Sequence, residues 1–210
     1  MVTADSQSAG RGRGTRSWFA PPGSALLYSV LIRDAADHPL LPLLVSLAVC
    51  DTAEAIAAVE CSVKWPNDVW IEGRKLAGVL IEGRADKEPA QRWAVVGVGL
   101  NIDFSDVRLP EDLQDHVAWL GEGLETERVL DLLNMSLARW LAAGPDEVLD
   151  DFRSRDLLLD QRLEWEGGEG VARGIDDSGH LLVETAEGAV VEIGAGEVTL
   201  GAFLRENSKR

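Results

Sequence analysis

The apolar positions of this chain change their period several times, and each change marks a new element. Residues 25–33, ALLYSVLIR, form a continuous run rich in Leu, Tyr, Val and Ile, the pattern of a strand that joins a core. Residues 40–59 place leucines at 40, 43, 44 and 47 and Ile56 on a helical spacing, which predicts a helix. Short extended pieces follow. CSVKW is stopped by Pro66, DVWI and KLAGVLIEG flank EGR as a hairpin, and RWAVVGVGLNI reads as a buried strand. The pattern predicts that these pieces are neighbours in one mixed sheet. MVTAD at the start reads as a strand entered midway.

A second helical period spans 126–143, with Val129, Leu133, Leu137, Trp140 and Leu141 on one face. Pro145 then opens PDEVLDDFRSRD at the position where a helix accepts its first residue. Beyond Leu157 the period shortens. Four or five short strands alternate with the turn signals EGGEG, DDSG, AEG and GAG, as in a small antiparallel barrel. The expected fold is therefore α/β, of the α+β kind, with a main unit over residues 1–156 and a small one over 157–210.

Composition narrows the classes. With 210 residues and 46% apolar content the chain can bury a sizeable core. The longest apolar region, PLLPLLVSLAVC at 39–50, falls well short of the roughly 20 residues of a membrane span and reads as a buried helix. Two cysteines, Cys50 and Cys61, without CxxC spacing offer neither a disulfide framework nor a zinc site. That usage predicts a reducing compartment, the cytoplasm, and no membrane. The net charge of −16 argues against a general nucleic-acid binder, because a phosphate backbone is held by many basic side chains.

Against this acidity, AGRGRGTRSW at 9–18 stands apart. Up to Arg33 the chain has Arg11, Arg13, Arg16 and Arg33 against the single acid Asp5. Positive charge gathered in a glycine-rich loop of an acidic protein suits a small anion better than a polymer. The glycines let backbone approach a ligand, and guanidinium forks take carboxylate or phosphate oxygens two at a time. KWPNDVW adds Lys64, Asn67 and Asp68 around a proline-fixed turn. GRKLAG adds Lys75 beside small residues against which a flat ligand could lie, and GVGLNI ends a strand with Asn101, whose amide could read a base edge.

ADSQSAGRGRGTRSW, KWPNDVWIEGRKLAGVLIEG and VVGVGLNI, in that order, resemble the successive motifs of the biotin protein ligases. The tail GVARGIDDSGHLLVETAEGAVVEIGAGEV is similar to their SH3-like C-terminal domain, so the resemblance covers nearly the whole chain. It implies a catalytic domain of the class II aminoacyl-tRNA-synthetase-like type and a two-step reaction. The carboxylate of biotin would attack ATP to give biotinyl-5′-AMP, and a lysine of a biotin carboxyl carrier protein of acetyl-CoA carboxylase would then take the biotin. The resemblance implies Lys75, Arg11 and Asp68 as catalytic residues, and Gln7, Gly10, Arg11, Gly12, Arg13 and Lys75 as biotin-binding ones. For ATP and the adenylate it implies Arg11, Arg13, Arg16, Trp18, Lys64, Asn67, Asp68 and Asn101. Mg²⁺ is an implied cofactor, with Asp68 as its ligand or as a base toward the incoming amine. A homodimer through sheet edges is compatible with the resemblance.

Two departures stand out. Gly14 and Thr15 occupy places where the family commonly has a second glycine before the last arginine of the loop. A Ser-Thr-Asn segment that lines the biotin pocket in the family, upstream of the glutamine, is absent from these residues, since Met1 stands six positions before Gln7. The expectation is a start placed too late or a truncated chain. Two alternatives remain at this level: an inactive or truncated paralogue that only binds nucleotide or a partner, and a lipoate or octanoate ligase or transferase. His38, His116 and His180 have no partner spacing and read as surface residues. LPEDLQDHVAWLGEGLETE at 109–127 reads as a solvated connection. Trp18 and Trp65 are placed near the site and Trp140 in a core.

Overall fold

The computed structural model describes residues 1–35, 38–84, 93–194, 196 and 198–200. Its main sheet has six strands: β1 (Val2–Ala4), β2 (Ala25–Arg33), β3 (Ser62–Lys64), β4 (Asp68–Ile71), β5 (Arg74–Arg84) and β6 (Trp93–Asn101), in the order β1-β2-β6-β5-β4-β3. All the strand ladders described run antiparallel, and parallel pairing is limited to the single bridges Val63–Asp156 and Lys75–Val117. The β4–β5 hairpin turns on Glu72 and Gly73, both at positive φ (49° and 75°), as a tight two-residue turn of the primed type requires.

Helix α1 (Leu41–Ile56) has Pro42 in its first turn and lies buried between the sheet and α2 (Thr126–Ala142). Its hydroxyls stay satisfied inside the core, with Ser46 donating to the Pro42 carbonyl and Thr52 to that of Ala48. The helix stops at Ile56, short of the expected residue 59, because Ala57 turns extended to deliver β3 to the sheet. Glu54 fixes that exit: its carboxylate accepts the Cys61 N–H at 2.9 Å and the Arg155 guanidinium at 2.6 Å.

Helix α2 buries Val129, Leu133, Leu137 and Trp140, whereas Leu141 is 41% exposed and stands off the expected face. Helix α3 (Pro145–Ser154) begins on its proline, carries Asp146 and Glu147 in its first turn, where carboxylates suit the helix dipole, and buries Val148, Leu149 and Phe152.

The remaining strands are β7 (Arg162–Trp165), β8 (Gly168–Ile175), β9 (Leu181–Glu184), β10 (Val190–Ile193) and β11 (Val198–Leu200). They form an antiparallel sheet in the order β10-β9-β8-β7-β11. One apolar cluster runs through both sheets, from Val63 and Leu76 to Leu163, Leu181 and Val198. Polar contacts reinforce the junction: the Trp65 indole donates to the Gly179 carbonyl at 2.9 Å, and Val63 exchanges backbone bonds with Arg155 and Leu157. No helix among the described residues is long and apolar enough to cross a membrane.

Candidate functional site

Strand alternation prepares the floor of the site. The register aligns Leu27, Gly99 and Gly78 across β2, β6 and β5, then Ser29, Gly97 and Leu80 in the next row of that face. Adjacent positions such as Val96, Val98, Ala77 and Val79 point the other way, into the core. Three glycines thus leave backbone exposed on one face of the sheet. A cavity of about 210 Å³ opens there, lined also by Gln7, Arg11, Gly12, Arg13, Arg16, Trp18, Lys64, Trp65, Asn67, Asp68, Lys75 and Glu82.

The arginine segment is folded against this floor as a small hairpin. Gly12 N–H donates to the Arg16 carbonyl at 2.8 Å, Trp18 N–H to that of Gly10 at 3.0 Å, and Gly14 makes the turn at φ 61°. The Trp18 ring lies so close on the glycine floor that a β-carbon at Gly99 would overlap it, and one at Gly78 would stand 3.1 Å from it. Its Nε1 is buried with no hydrogen-bond partner among the described residues.

The cations converge on the β3–β4 turn. Lys75 Nζ stands 2.7 Å from Asp68 Oδ1 and 5.6 Å from the centre of the Trp18 ring. Lys64 is the cross-strand partner of Asp68 and lies over Trp70 at 5.8 Å. Between them Trp65 and Pro66 are joined by a cis peptide bond. Arg13 reaches the same corner, donating to Asn67 Oδ1 at 3.3 Å and to the Gly196 carbonyl of the second sheet's side at 2.8 Å. Asn67, buried, is fixed by donating its amide to the Val79 carbonyl while Val79 N–H returns a bond to the Asn67 carbonyl.

Burial lowers the affinity of Lys64 for its proton, and Lys75, Arg16 and Arg13 lower it further against the opposing pull of Asp68. Burial likewise pushes the Arg13 guanidinium down, against Asp68. The corner is therefore a desolvated cluster of positive charge around one carboxylate, poised to exchange repulsion for an incoming anion.

Arg11 is turned elsewhere: both its terminal nitrogens bond Glu82 of β5, at 3.0 and 2.6 Å. Asn101 does not line the cavity. Its amide nitrogen donates to the carbonyls of Ala118, at 2.9 Å, and Lys75, at 3.4 Å, while its Oδ1 is buried with no hydrogen-bond partner among the described residues. Gly10 also stands behind the lining, where a β-carbon would overlap the Trp18 carbonyl.

Sequence reasoning misses Glu82, Ser29, Gly97 and Gly99 as lining residues, though the alternation in GVG is an available signal for the glycines. It also misses the brace behind Lys75. The stretch read as a solvated connection holds Ala118 and Leu120 buried, and its backbone pairs with Lys75 on both sides through His116 and Ala118, each at 2.8 Å. Trp119 stacks on Phe104 beside the small cluster of Ala25 and Leu27. The VAW triplet inside that acidic run is its trace.

Residues 1–101 match the biotin/lipoate A/B protein ligase family, and residues 168–201 match the biotin protein ligase C terminal domain. The chain is 35% identical to a Mycobacterium tuberculosis biotin–(acetyl-CoA-carboxylase) ligase over 94% of its own length and 77% of that protein. It is 32% identical to the Paracoccus denitrificans ligase of the same name, over 95% and 90%. Of the bifunctional ligase/repressor BirA of Bacillus subtilis, 31% identical, it spans 66% of the length. A point mutant of the Aquifex aeolicus biotin protein ligase, solved in complex with biotin, superposes with a TM-score of 0.80 at 30% identity, over 94% of this chain and 86% of that one. Sequence and fold agree that the chain belongs to the biotin/lipoate A/B protein ligase family, in its biotin protein ligase branch.

Proposed function

We propose that this protein activates biotin with ATP and transfers it to a lysine of a carrier protein. The observation that carries the reading is the cluster of Lys64, Lys75, Arg13 and Arg16 lining the cavity at one end of a glycine-paved groove. Beyond the Trp18 ring the groove suits a small bicyclic ring system, with its carboxylate tail directed at the cations. In the first step a carboxylate oxygen of biotin attacks the α-phosphorus of ATP, the bond to the β-phosphate oxygen breaks, and pyrophosphate leaves with the electron pair. Two anions must meet for this, and fixed cations remove their repulsion while holding them in line.

Lys75, held by Asp68, is placed to bond the carboxylate oxygen as it becomes an acyl phosphate. Lys64 and Arg16 serve the phosphates, and Arg13 serves both biotin and phosphate. Gln7 at the cavity wall suits the ureido group, and the Trp18 ring suits the adenosine. Mg²⁺ fits the donor set, since that ion is commonly held by one or two carboxylates together with substrate phosphates, and Asp68 is the carboxylate beside the cations. When bound it neutralises phosphate charge. In the second step the amine nitrogen of the carrier lysine attacks the acyl carbon, the bond to AMP breaks, and the amine gives up a proton, for which Asp68 is the cavity-lining base nearest the cations. Folding of the arginine hairpin over the groove keeps water from the adenylate.

The relatives named for acetyl-CoA carboxylase favour its biotin carrier domain as acceptor. The test is incubation of the purified chain with ATP, Mg²⁺ and labelled biotin, lipoate or octanoate, with and without an apo carrier domain. Label passing to the carrier from biotin alone supports the proposal. Nucleotide binding without transfer, or transfer of lipoate or octanoate, overturns it.

A further inference from the structure

Outside the groove, the β8–β9 turn and β10 bring three metal-ligating side chains together. An oxygen of Asp176, a ring nitrogen of His180 and an oxygen of Glu192 lie within 4.8 Å of one another. The register explains the meeting. Glu192 of β10 is paired with Leu182 of β9, so two positions further on Gly194 comes opposite His180, on the face that Glu192 shares. Glu192 and His180 are thus diagonal neighbours, a separation that long side chains span. Because Gly194 has no side chain, the imidazole packs against its backbone: a β-carbon there would stand 3.1 Å from Cδ2 and Nε2 of the ring. The other ring nitrogen, Nδ1, is turned to Asp176 Oδ2 at 3.3 Å.

Asp176 is held ready for this contact. Its Oδ1 accepts the N–H groups of Ser178 and His180, each at 2.8 Å, which orients the carboxylate and leaves Oδ2 toward the imidazole. Charge favours a cation here. Arg153 reaches the same turn, but Asp177 takes it at 3.2 Å and the Ile175 carbonyl at 3.5 Å. Among the described residues, His180 is the only ion-pair partner of Asp176, and Glu192 has none. Imidazole together with carboxylates suits zinc, whereas Mg²⁺ and Ca²⁺ prefer oxygen ligands alone. Zinc takes these donors at about 2.0 to 2.2 Å, which spaces them roughly 3.4 Å apart in a tetrahedron, and rotation of the exposed Glu192 side chain closes the remaining distance.

We infer that Asp176, His180 and Glu192 form a Zn²⁺ site that ties β10 to the β8–β9 turn, with water as the fourth ligand. The ion reinforces the seam between the two sheets, because the same turn carries Gly179, whose carbonyl accepts the Trp65 indole N–H at 2.9 Å. The inference does not rest on the ligase reading.

The test uses the full chain, free of any affinity tag and stripped of metal, titrated with Zn²⁺ in a calorimeter with excess Mg²⁺ present. About one equivalent of Zn²⁺ is expected to bind. The thermal midpoint should rise with Zn²⁺, and amide exchange over residues 176–182 and 190–194 should slow. Asp176→Asn, which keeps an acceptor for the two N–H groups, His180→Ala and Glu192→Gln should each weaken binding by at least the roughly 10- to 100-fold that loss of an outer-shell partner costs. Glu192→Gln changes an exposed side chain and should keep the metal-free midpoint of wild type, so its loss of Zn²⁺ is not a loss of fold. A wild-type protein that binds no Zn²⁺ overturns the inference and leaves His180 and Asp176 as a plain ion pair. Binding left unchanged by any of the three substitutions overturns it too, as an adventitious ion only, and so does exchange that slows elsewhere but not in these two segments.

Discussion

Lys75 Nζ stands 2.7 Å from Asp68 Oδ1, bound across adjacent strands rather than along one. The pair is half-buried, the lysine backbone is braced by the 116–118 segment, and the ammonium faces the glycine floor at Gly78. Its position follows from a bulge between Val69 and Trp70, which shifts the register so that Lys75 meets Trp70 while Asp68 faces Gly78. Lys75→Ala is expected to lower biotin-dependent exchange of pyrophosphate into ATP by about 10²-fold or more, the scale of losing a charge-stabilising donor. Urea unfolding should move little. Exchange at the wild-type rate would remove Lys75 from the reaction.

The glycine floor separates two effects that a single substitution usually mixes. A β-carbon at Gly99 would overlap the Trp18 ring, whereas one at Gly97 would meet only the Leu80 carbonyl at 3.5 Å and its β-carbon at 3.9 Å. Gly99→Ala therefore displaces Trp18, and Gly97→Ala leaves it in place while filling the groove. Calorimetric titration with biotin should show about tenfold or greater weakening in both. Only Gly99→Ala should also speed tryptic cleavage of the ligand-free arginine hairpin. Equal cleavage in the two variants would contradict the packing described.

Burial first, and then Lys75, Arg16 and Arg13, depress the Lys64 ammonium below the ordinary lysine value despite Asp68. The group loses its proton at lower pH than a solvated lysine, so a cation that favours ATP vanishes on that side. ATP affinity measured from neutral pH upward should fall as Lys64 deprotonates, before solvated lysines do. Lys64→Arg, whose charge persists, should carry the decline to higher pH. A wild-type profile matching that of Lys64→Arg would refute the assignment.

Asp156 sits where β3 meets the chain leading to the second sheet, paired to Val63 by a single bridge. One carboxylate oxygen accepts the Leu158 N–H at 2.8 Å, and the other is buried with no partner among the described residues. Burial raises its pKa from 3.8 to about 6, against the backbone hydrogen bonds of Leu158 and Leu159. The folded state thus prefers the protonated acid. No penalty exists below pH 3.8; it grows as pH rises through the interval to about 6 and stays full above. A shift of that size corresponds to a penalty on the order of 2 to 3 kcal/mol. Asp156→Asn, neutral throughout, should be more stable than wild type in urea titrations at a pH about one to two units above that raised value, and nearly equal to it near the ordinary one. A constant difference across that range would exclude the ionisation as its cause.

Local chemistry made much of this protein readable before folding is considered. The apolar runs ALLYSVLIR and WAVVGVGLN announce strands of a core by their Leu, Val and Ile content, whatever they pair with. The spacing of Val129, Leu133 and Leu137 fixes a helix face. Motifs such as GRGRG, KWPND and RKLAG announce anion chemistry by residue type alone, and their order carries the family resemblance.

Contacts between distant segments were not readable, since nothing local encodes them. Glu82 meets Arg11 across 71 positions, and Gly196 meets Arg13 across 183. Asn101 shares the strand face of Gly97 and Gly99, and the carbonyls of Ala118 and Lys75, distant in sequence, accept from its amide nitrogen. Leu141 fits the helical period and still emerges 41% exposed, while its neighbour Trp140 is buried and donates to Asp51 of α1. By itself the sequence determined the elements, the faces they bury and the kind of ligand charge to be met. Which acid each cation meets, Asp68 for Lys75 and Glu82 for Arg11, was decided by the sheet register and the hairpin folded upon it, because ion pairing depends on distances that only the tertiary structure sets.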